Sequence, residues 1–243
     1  GYVLENNLIR MTIGTRSGLV IRSIENHCLQ QMLTRVQAGP IFEIGYESTD
    51  PVMLSSDQIS VGTPQIVSKT NGSTLVVPID GSDQGVQLKG DISFTVDDGP
   101  DILMQLNLWH VGDTIASPKV VFPIFKNIRL GDLKDTWYFW GKRGGLISNT
   151  PTVQRQITGH YALQVADLFN PQGKGGLALA TYDRRGIERE WEMYKTDEGV
   201  SWKIGYLPHS HQPGERVELA PTAIRAHAGD WRVAFDEYRK WID

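Results

Sequence analysis

The segment GVQLKGDISFTVDDGPDILMQLNLW, residues 85–109, decides the fold. Apolar and polar residues alternate along residues 85–96 and again along residues 102–109, on either side of the turn sequence DDGP. Side chains of a β-strand point alternately to the two faces of a sheet, so this pattern predicts one long antiparallel hairpin. One face of the hairpin is expected to be buried and the other polar, as in a large sandwich.

The rest of the chain repeats this pattern on a shorter scale. Short alternating or β-branched runs are separated by turn dipeptides such as Asn71-Gly72 and Asp80-Gly81, which is typical of antiparallel sheets. The further runs are residues 8–13, 19–24, 41–46, 65–68, 74–79, 176–182, 200–206 and 216–219. The sequence therefore predicts an all-β protein, a large antiparallel β-sandwich, followed by one short C-terminal helix.

The helix is predicted from the last fifteen residues. Asp230 is placed to cap the first turn, and apolar side chains recur at helical spacing after it. This apolar stripe consists of Trp231, Ala234, Phe235, Tyr238, Trp241 and Ile242. Such a stripe must lie either against the preceding sheet or against a following domain. We expect a β-domain at residues 1–228 and a helix at residues 229–243 that connects it to a missing downstream domain.

Composition narrows the possible partners. The 243 residues carry a formal net charge of −4, whereas a domain that binds nucleic acid usually has a positive net charge. No apolar run approaches the roughly 20 residues that cross a bilayer. The one cysteine, Cys28, excludes an internal disulfide and is interpreted as a small core residue. We expect neither nucleic acid nor membrane as a partner.

Several stretches, in order, resemble the galactose-mutarotase-like β-supersandwich found N-terminal to the catalytic domain of glycoside hydrolases. The opening strand, turn and second strand (residues 4–24) are similar to the entry hairpin of that fold. Residues 160–170 and 175–183 are similar to one of its strand pairs, and residues 212–221 to its closing strand. The resemblance implies that the terminal helix leads into a catalytic barrel and that the sheet face recognises carbohydrate.

The chain departs from true mutarotases in its catalytic residues. Those enzymes pair a histidine with a glutamate at the anomeric oxygens of the sugar. Here Glu215 and Glu218 belong to the closing strand, which is a different position, so the residues do not support mutarotation.

The aromatic run Trp137-Tyr138-Phe139-Trp140 is the first candidate sugar site. Neighbouring rings on a strand face opposite sides, so either Trp137 and Phe139 or Tyr138 and Trp140 should reach solvent. An exposed ring suits the apolar face of a pyranose, and Lys142 and Arg143 could bond hydroxyls at its rim. The alternative is a loop held down by core aromatics.

Histidines supply further candidates. Trp109 and His110 end a predicted strand and His160 begins another, so each is a candidate sugar ligand or a structural residue. His209 and His211 lie on one side of an extended chain, but no third ligand accompanies them, so no metal site and no cofactor is predicted.

Glu188, Glu190 and Glu192 alternate and would share one strand face. Paired carboxylates are what glycosidic hydrolysis requires, but like charges on a solvated strand edge also discourage aggregation. We favour the solvated edge.

Three functions follow. The first is a non-catalytic carbohydrate-recognising module of a secreted polysaccharide- or glycan-degrading enzyme, which binds sugar through exposed aromatics on the sheet face. The second is a purely structural domain that supports a downstream glycoside hydrolase domain. The third is a sugar epimerase or lyase that uses His110 or His160 with a carboxylate from residues 183–192.

Overall fold

The computed structural model describes residues 1–29, 34–141, 145–158 and 163–243 of the chain. These residues form antiparallel β-structure followed by one α-helix. In chain order the elements are β1 (Tyr2–Glu5), β2 (Ile9–Gly14), β3 (Val20–Asn26), β4 (Thr34–Gln37), β5 (Gly39–Pro40), β6 (Glu43–Tyr46), β7 (Met53–Ser55), β8 (Ser60–Val61), β9 (Gln65–Lys69), β10 (Gly72–Asp80), β11 (Leu88–Asp97), β12 (Asp101–His110), β13 (Pro118–Leu130), the 3-10 turn Leu133–Asp135, β14 (Trp137–Trp140), β15 (Leu146–Ser148), β16 (Thr152–Thr158), β17 (Val165–Asn170), β18 (Gly175–Thr181), β19 (Arg189–Thr196), β20 (Gly199–Tyr206), β21 (Arg216–Val217), β22 (Thr222–Ala228) and α1 (Trp231–Ile242).

The strands of the described residues form three sheets. The eleven-stranded sheet has the order β15-β14-β17-β18-β22-β12-β11-β10-β8, with β21 paired to β12 and β9 to β10. The seven-stranded sheet has the order β16-β19-β20-β13-β6-β7, with β4 beside β13. A four-stranded sheet, β1-β2-β3-β5, completes the fold. The predicted fold class, an antiparallel all-β sandwich with a short C-terminal helix, is confirmed.

The core is built from one face of each long strand. Along β12, Ile102, Met104, Leu106 and Leu108 are fully buried, and the residues between them are at least partly exposed. The same alternation on β20 buries Trp202. Each such side chain stabilises the fold by about 1.5–3 kcal/mol, and all of them belong to one continuous apolar cluster.

The central hairpin forms as predicted. β11 and β12 pair from Leu88 opposite His110 to Val96 opposite Ile102, and the turn between them contains the DDGP sequence. One face of the hairpin lies in the core, and the other is an outer face of the eleven-stranded sheet.

The opening of the chain differs from the predicted hairpin. Residues 4–13 do not form a single strand, because β1 and β2 are separate strands that pair with each other. The side-chain oxygen of Asn6 accepts hydrogen bonds from the N–H groups of Leu8 and Ile9, at 2.9 and 3.0 Å, and closes a turn between them. β3 then pairs with β2, as expected.

The C-terminal helix forms where the sequence predicts it. The Asp230 carboxylate accepts a hydrogen bond from the N–H of Arg232 at 3.0 Å and caps the first turn. The helix lies against β17, β18 and β22 on the outer face of the eleven-stranded sheet. Among the described residues, no helix is both long and apolar enough to cross a membrane.

Candidate functional site

The aromatic run predicted to bind sugar forms strand β14, and its rings alternate between the two faces of the sheet. Tyr138 and Trp140 point into the core, where they are 1% and 2% exposed. Trp140 meets Trp191 edge-on with ring centres 6.3 Å apart. The prediction that Tyr138 and Trp140 could face a sugar is therefore wrong, because the core needs both rings.

The other two rings lie on the outer face, which helix α1 covers. Phe139 stacks on Trp231 with ring centres 4.8 Å apart, and Phe235 meets Phe139 edge-on at 6.4 Å. Phe139 is consequently buried. Trp137 packs on Phe169 at 6.3 Å and is the only ring of the four that keeps partial contact with solvent. The apolar stripe of the helix therefore packs on Phe139 of β14 together with Val165, Ala178 and Ala180 of β17 and β18.

Polar contacts fix the helix further along its length. Arg225 of β22 donates to both carboxylate oxygens of Asp101, at 2.7 and 3.0 Å, and lies 3.3 Å from Glu237 of the helix. The Tyr238 hydroxyl accepts a hydrogen bond from the N–H of Gln164 at 3.2 Å. The stripe is thus bound within the chain, so by itself it gives no evidence of a missing partner.

A buried ion pair lies next to Phe139 on the same face. His227 Nε2 and Asp167 Oδ1 are 2.9 Å apart, and the two side chains are 3% and 0% exposed. Burial raises the pKa of Asp167. Burial acts to lower the pKa of His227, but the Asp167 carboxylate outweighs it and raises that pKa above its ordinary value of 6.5. The folded protein therefore retains a proton here that the unfolded chain releases.

The other predicted ligands do not form a site among the described residues. Three of them, Lys142, Arg143 and His160, lie outside the described residues. His110 is 2% exposed, with Nδ1 2.7 Å from the Tyr46 hydroxyl and Nε2 2.7 Å from the Thr114 carbonyl oxygen. The prediction that His110 faces a sugar is wrong, because the alternation of β12 turns His110 inward and Trp109 outward.

The predicted acidic face lies on an inner strand of its sheet, between β16 and β20, and is ion-paired. Glu190 and Glu192 share the outer side of β19, whereas Glu188 precedes the strand. The carboxylate of Glu192 lies 3.3 Å from Arg155 and 3.2 Å from Lys203, on the two flanking strands. Glu192 therefore links three neighbouring strands through two ion pairs, which is a structural role.

Asp183, the carboxylate upstream of that run, is structural. It is buried and lies 2.8 Å from Arg189, which also donates to Thr181 at 2.9 Å. Burial acts to raise the pKa of Asp183, but hydrogen bonds from Arg189 and from the N–H groups of Arg185 and Ile187 outweigh it and lower the pKa. With His110 buried as well, a site that combines His110 with Asp183 is not open to a sugar, whereas His160, the other histidine of that hypothesis, lies outside the described residues.

The exposed indole lies at the other end of β12. All seven tryptophans are in the described part of the chain, and Trp109, at 37%, is the one that is exposed. It follows Asp101 by eight residues, roughly 26 Å along the strand, so it is remote from the contacts of Arg225 with Asp101 and helix α1. Lys89 of β11 lies opposite Trp109 on one side, and Arg216 of β21 on the other. Directly opposed residues project from the same face of a sheet.

Polar side chains beside Trp109 form a connected chain. Arg216 Nη2 donates to Asn107 Oδ1 at 2.6 Å, and Asn107 Nδ2 donates to Asp91 Oδ1 at 2.9 Å. The guanidinium carbon of Arg216 lies 5.9 Å from the centre of the indole. We call Trp109, Lys89, Asp91, Asn107 and Arg216 the Trp109 platform. A flat apolar ring with planar polar groups at its rim is an arrangement that can hold a sugar.

A second concavity offers different chemistry. A polar groove of about 540 Å³ lies at the hairpin tips, between residues 5–8, 71–73 and 96–100. None of the described residues that line it is aromatic, so it offers no ring on which a pyranose could stack. The described residues also contain no group of three or more His, Cys, Asp or Glu placed to hold a metal ion.

Sequence reasoning identified Trp109 but missed its surroundings. The alternation in residues 85–109 does predict four residues of the platform on one outer face, which are Lys89, Asp91, Asn107 and Trp109. Arg216 joins them only through the pairing of β21 with β12, a contact between residues about a hundred positions apart. No periodicity in the sequence indicates that contact.

Comparison with known proteins places the fold among parts of larger chains. No model of a protein family matches this sequence, and a search of curated proteins finds no match. A GH36 alpha-galactosidase from Geobacillus stearothermophilus matches with a TM-score of 0.63 and 11% identity over 94% of this chain and 40% of its own. The alpha-N-acetylgalactosaminidase NagBb from Bifidobacterium bifidum matches with a TM-score of 0.63 and 8% identity, over 100% of this chain and 38% of its own. A TPR-domain containing protein from Parabacteroides distasonis matches with a TM-score of 0.61 and 13% identity, over 94% of this chain and 47% of its own.

These likenesses show the fold alone, since all are far below 25% identity. The chain spans less than half of the length of each of the three proteins. The same fold therefore occurs as one portion of longer proteins.

We expect Phe139→Ala to lower the free energy of unfolding by about 3 kcal/mol, because it removes the ring on which Trp231 stacks. The matched control is Ile147→Ala, directly opposite Phe139 on β15 but 42% exposed, which we expect to cost under about 1 kcal/mol. Urea unfolding followed by tryptophan fluorescence measures both variants. Equal losses would contradict the packing of the helix on this strand.

We expect the Asp167–His227 pair to make the protein less stable as pH rises above 6.5. The folded state binds more protons than the unfolded state, so the free energy of unfolding falls with pH until the raised folded pKa is passed. Each unit of pKa elevation is worth about 1.4 kcal/mol.

The measurement is urea unfolding between pH 5.5 and 9 for the parent protein, His227→Gln and the exposed control His209→Gln. The difference between the parent and His227→Gln should shrink as pH rises, and the control should follow the parent. A difference that is constant with pH would show that the pair carries no extra proton.

Proposed function

We propose that this chain is a non-catalytic, carbohydrate-recognising domain of a larger glycan-degrading enzyme, and that it binds sugar through the Trp109 platform. The observation that carries this proposal is the one exposed indole among the seven tryptophans, with an amide and a guanidinium hydrogen-bonded to each other beside it. An indole exposed to water on a strand costs hydrophobic free energy unless a ligand covers it.

The structural neighbours support the enzymatic context. Two are named as an alpha-galactosidase and an alpha-N-acetylgalactosaminidase, and in each the matching region is about two fifths of the chain. We propose that a catalytic domain follows α1 in the parent protein, with the helix as the connector. A polymeric substrate is degraded outside the cell, so the proposal includes a secreted or extracellular parent enzyme.

A purely structural role is the second candidate, and one surface favours it. Val153 and Ile157 on the outer side of the edge strand β16 are each 62% exposed, with Arg155 between them. Exposed apolar side chains on an edge strand suit packing against another domain. In this case the Trp109 platform would bind nothing, and the parent enzyme would lose stability without the domain.

We expect Trp109→Ala to weaken glycan binding at least tenfold, about 1.4 kcal/mol, because the stacking surface is lost while the buried core is untouched. Isothermal titration against raffinose, galactomannan and polygalacturonate measures the affinity, and circular dichroism checks the fold.

The control is Trp137→Ala, which lies on the same sheet face but packs on Phe169. It should bind as the parent does. Binding that survives Trp109→Ala and fails in Trp137→Ala would move the site to the originally predicted strand. Absence of binding to every glycan, with the fold intact, would leave the structural role.

A further inference from the structure

Arg216 is a cation that has no carboxylate partner in the part of the chain that the structure describes. No carboxylate of the described residues lies within 4.0 Å of its guanidinium, which instead donates a hydrogen bond to the neutral Asn107 carboxamide. The other cation of the platform is different, because Lys89 lies 3.0 Å from Asp80 on the neighbouring strand. Of the two cations of the platform, Arg216 is therefore the one without a carboxylate partner among the described residues.

The guanidinium is also held in place. Asn107 accepts its hydrogen bond and is itself anchored by donation to Asp91, so a chain of two bonds fixes the position of Arg216 relative to the strand. A distance of 5.9 Å to the indole centre is longer than the roughly 3.5–4 Å of van der Waals contact. The guanidinium carbon therefore stands over the indole without touching it, at the outer limit of the roughly 6 Å cation–π range. Among the described residues only Nη2 is hydrogen-bonded, to Asn107, so the other N–H groups can reach a ligand on the indole beside the guanidinium.

We propose that the sugar bound on Trp109 is a uronic acid, whose pyranose ring stacks on the indole while its carboxylate accepts a paired hydrogen bond from Arg216. This inference rests on the proposed carbohydrate recognition at Trp109 and names the class of sugar. The C6 carboxylate of a uronate projects from the ring edge in the ring plane, which is where a cation beside the indole can reach it.

A carboxylate fits this position better than other anions. The guanidinium fork matches the two oxygens of a planar carboxylate and forms charge-assisted bonds stronger than those to a hydroxyl. Two acidic side chains also lie on this face, Asp80 and Asp91. They balance the charges of Lys89 and Arg216, so this part of the sheet has no net positive charge that would attract polyanions in general. Selection therefore depends on the directed bond from Arg216.

The test uses the intact chain and paired ligands that differ only in charge. Trimers of galacturonate, glucuronate and mannuronate are titrated beside their methyl esters, which keep the backbone and lose the negative charge. A sulfated galactan oligosaccharide is the third arm. The proteins are the parent, Arg216→Gln, Arg216→Lys, Trp109→Ala, and the control Arg155→Gln on the opposite sheet, where an exposed arginine pairs with Glu192.

At least one acidic trimer should bind tenfold or more tightly than its ester, and Arg216→Gln should abolish that preference. Arg216→Lys should restore only part of it, because lysine keeps the charge but lacks the fork. Arg155→Gln should behave as the parent does, and Trp109→Ala should lose binding of both acid and ester.

Other outcomes overturn the inference in distinguishable ways. Equal binding of acids and esters, still dependent on Trp109, would reject the uronate and leave carbohydrate recognition standing. Equal binding of the sulfated oligosaccharide would indicate a general anion site and would also reject the uronate. Absence of binding to acids, esters and neutral glycans by a folded protein would reject the proposed function together with this inference.

Discussion

The structure depends on the strict alternation of side chains along strands that have one face in the core. Because the period is two, a shift of one residue exchanges everything buried for everything exposed. On β12 this constraint turns His110 into the core and leaves Trp109 outside. On β14 it sends Tyr138 and Trp140 inward and Phe139 to the outer face. This alternation therefore determines which side chains of the outer face helix α1 covers and which stay open to solvent.

The outer face of the eleven-stranded sheet is thereby divided in two. One half carries Phe139 and its apolar neighbours, and helix α1 covers it. The other half carries polar side chains around Trp109, and Arg225 and Asp101 lie between the two halves. The helix therefore limits where a ligand can bind, since it leaves only one exposed indole among the seven tryptophans, all of which are described.

Much of this fold could be predicted from the sequence, because alternation and helical spacing are local signals. The long hairpin, the capped helix and the need of its stripe for a partner were all visible. The four consecutive rings of residues 137–140 predict a sugar site, because the sequence does not show that Phe139 and Trp231, about ninety residues apart, cover each other. Arg216 was missed for the same reason, since its pairing with β12 is long-range.

The most direct test of the account follows the indole N–H resonances of all seven tryptophans by NMR during titration with a bound oligosaccharide. Side-chain signals are assigned by single Trp→Phe variants. The account predicts that the Trp109 signal shifts or broadens with saturation while those of Trp140, Trp231 and Trp241 remain fixed. A silent Trp109 signal alongside shifts at Trp137 or Trp231 would contradict it, because the ligand would then bind on the half of the sheet that the helix covers.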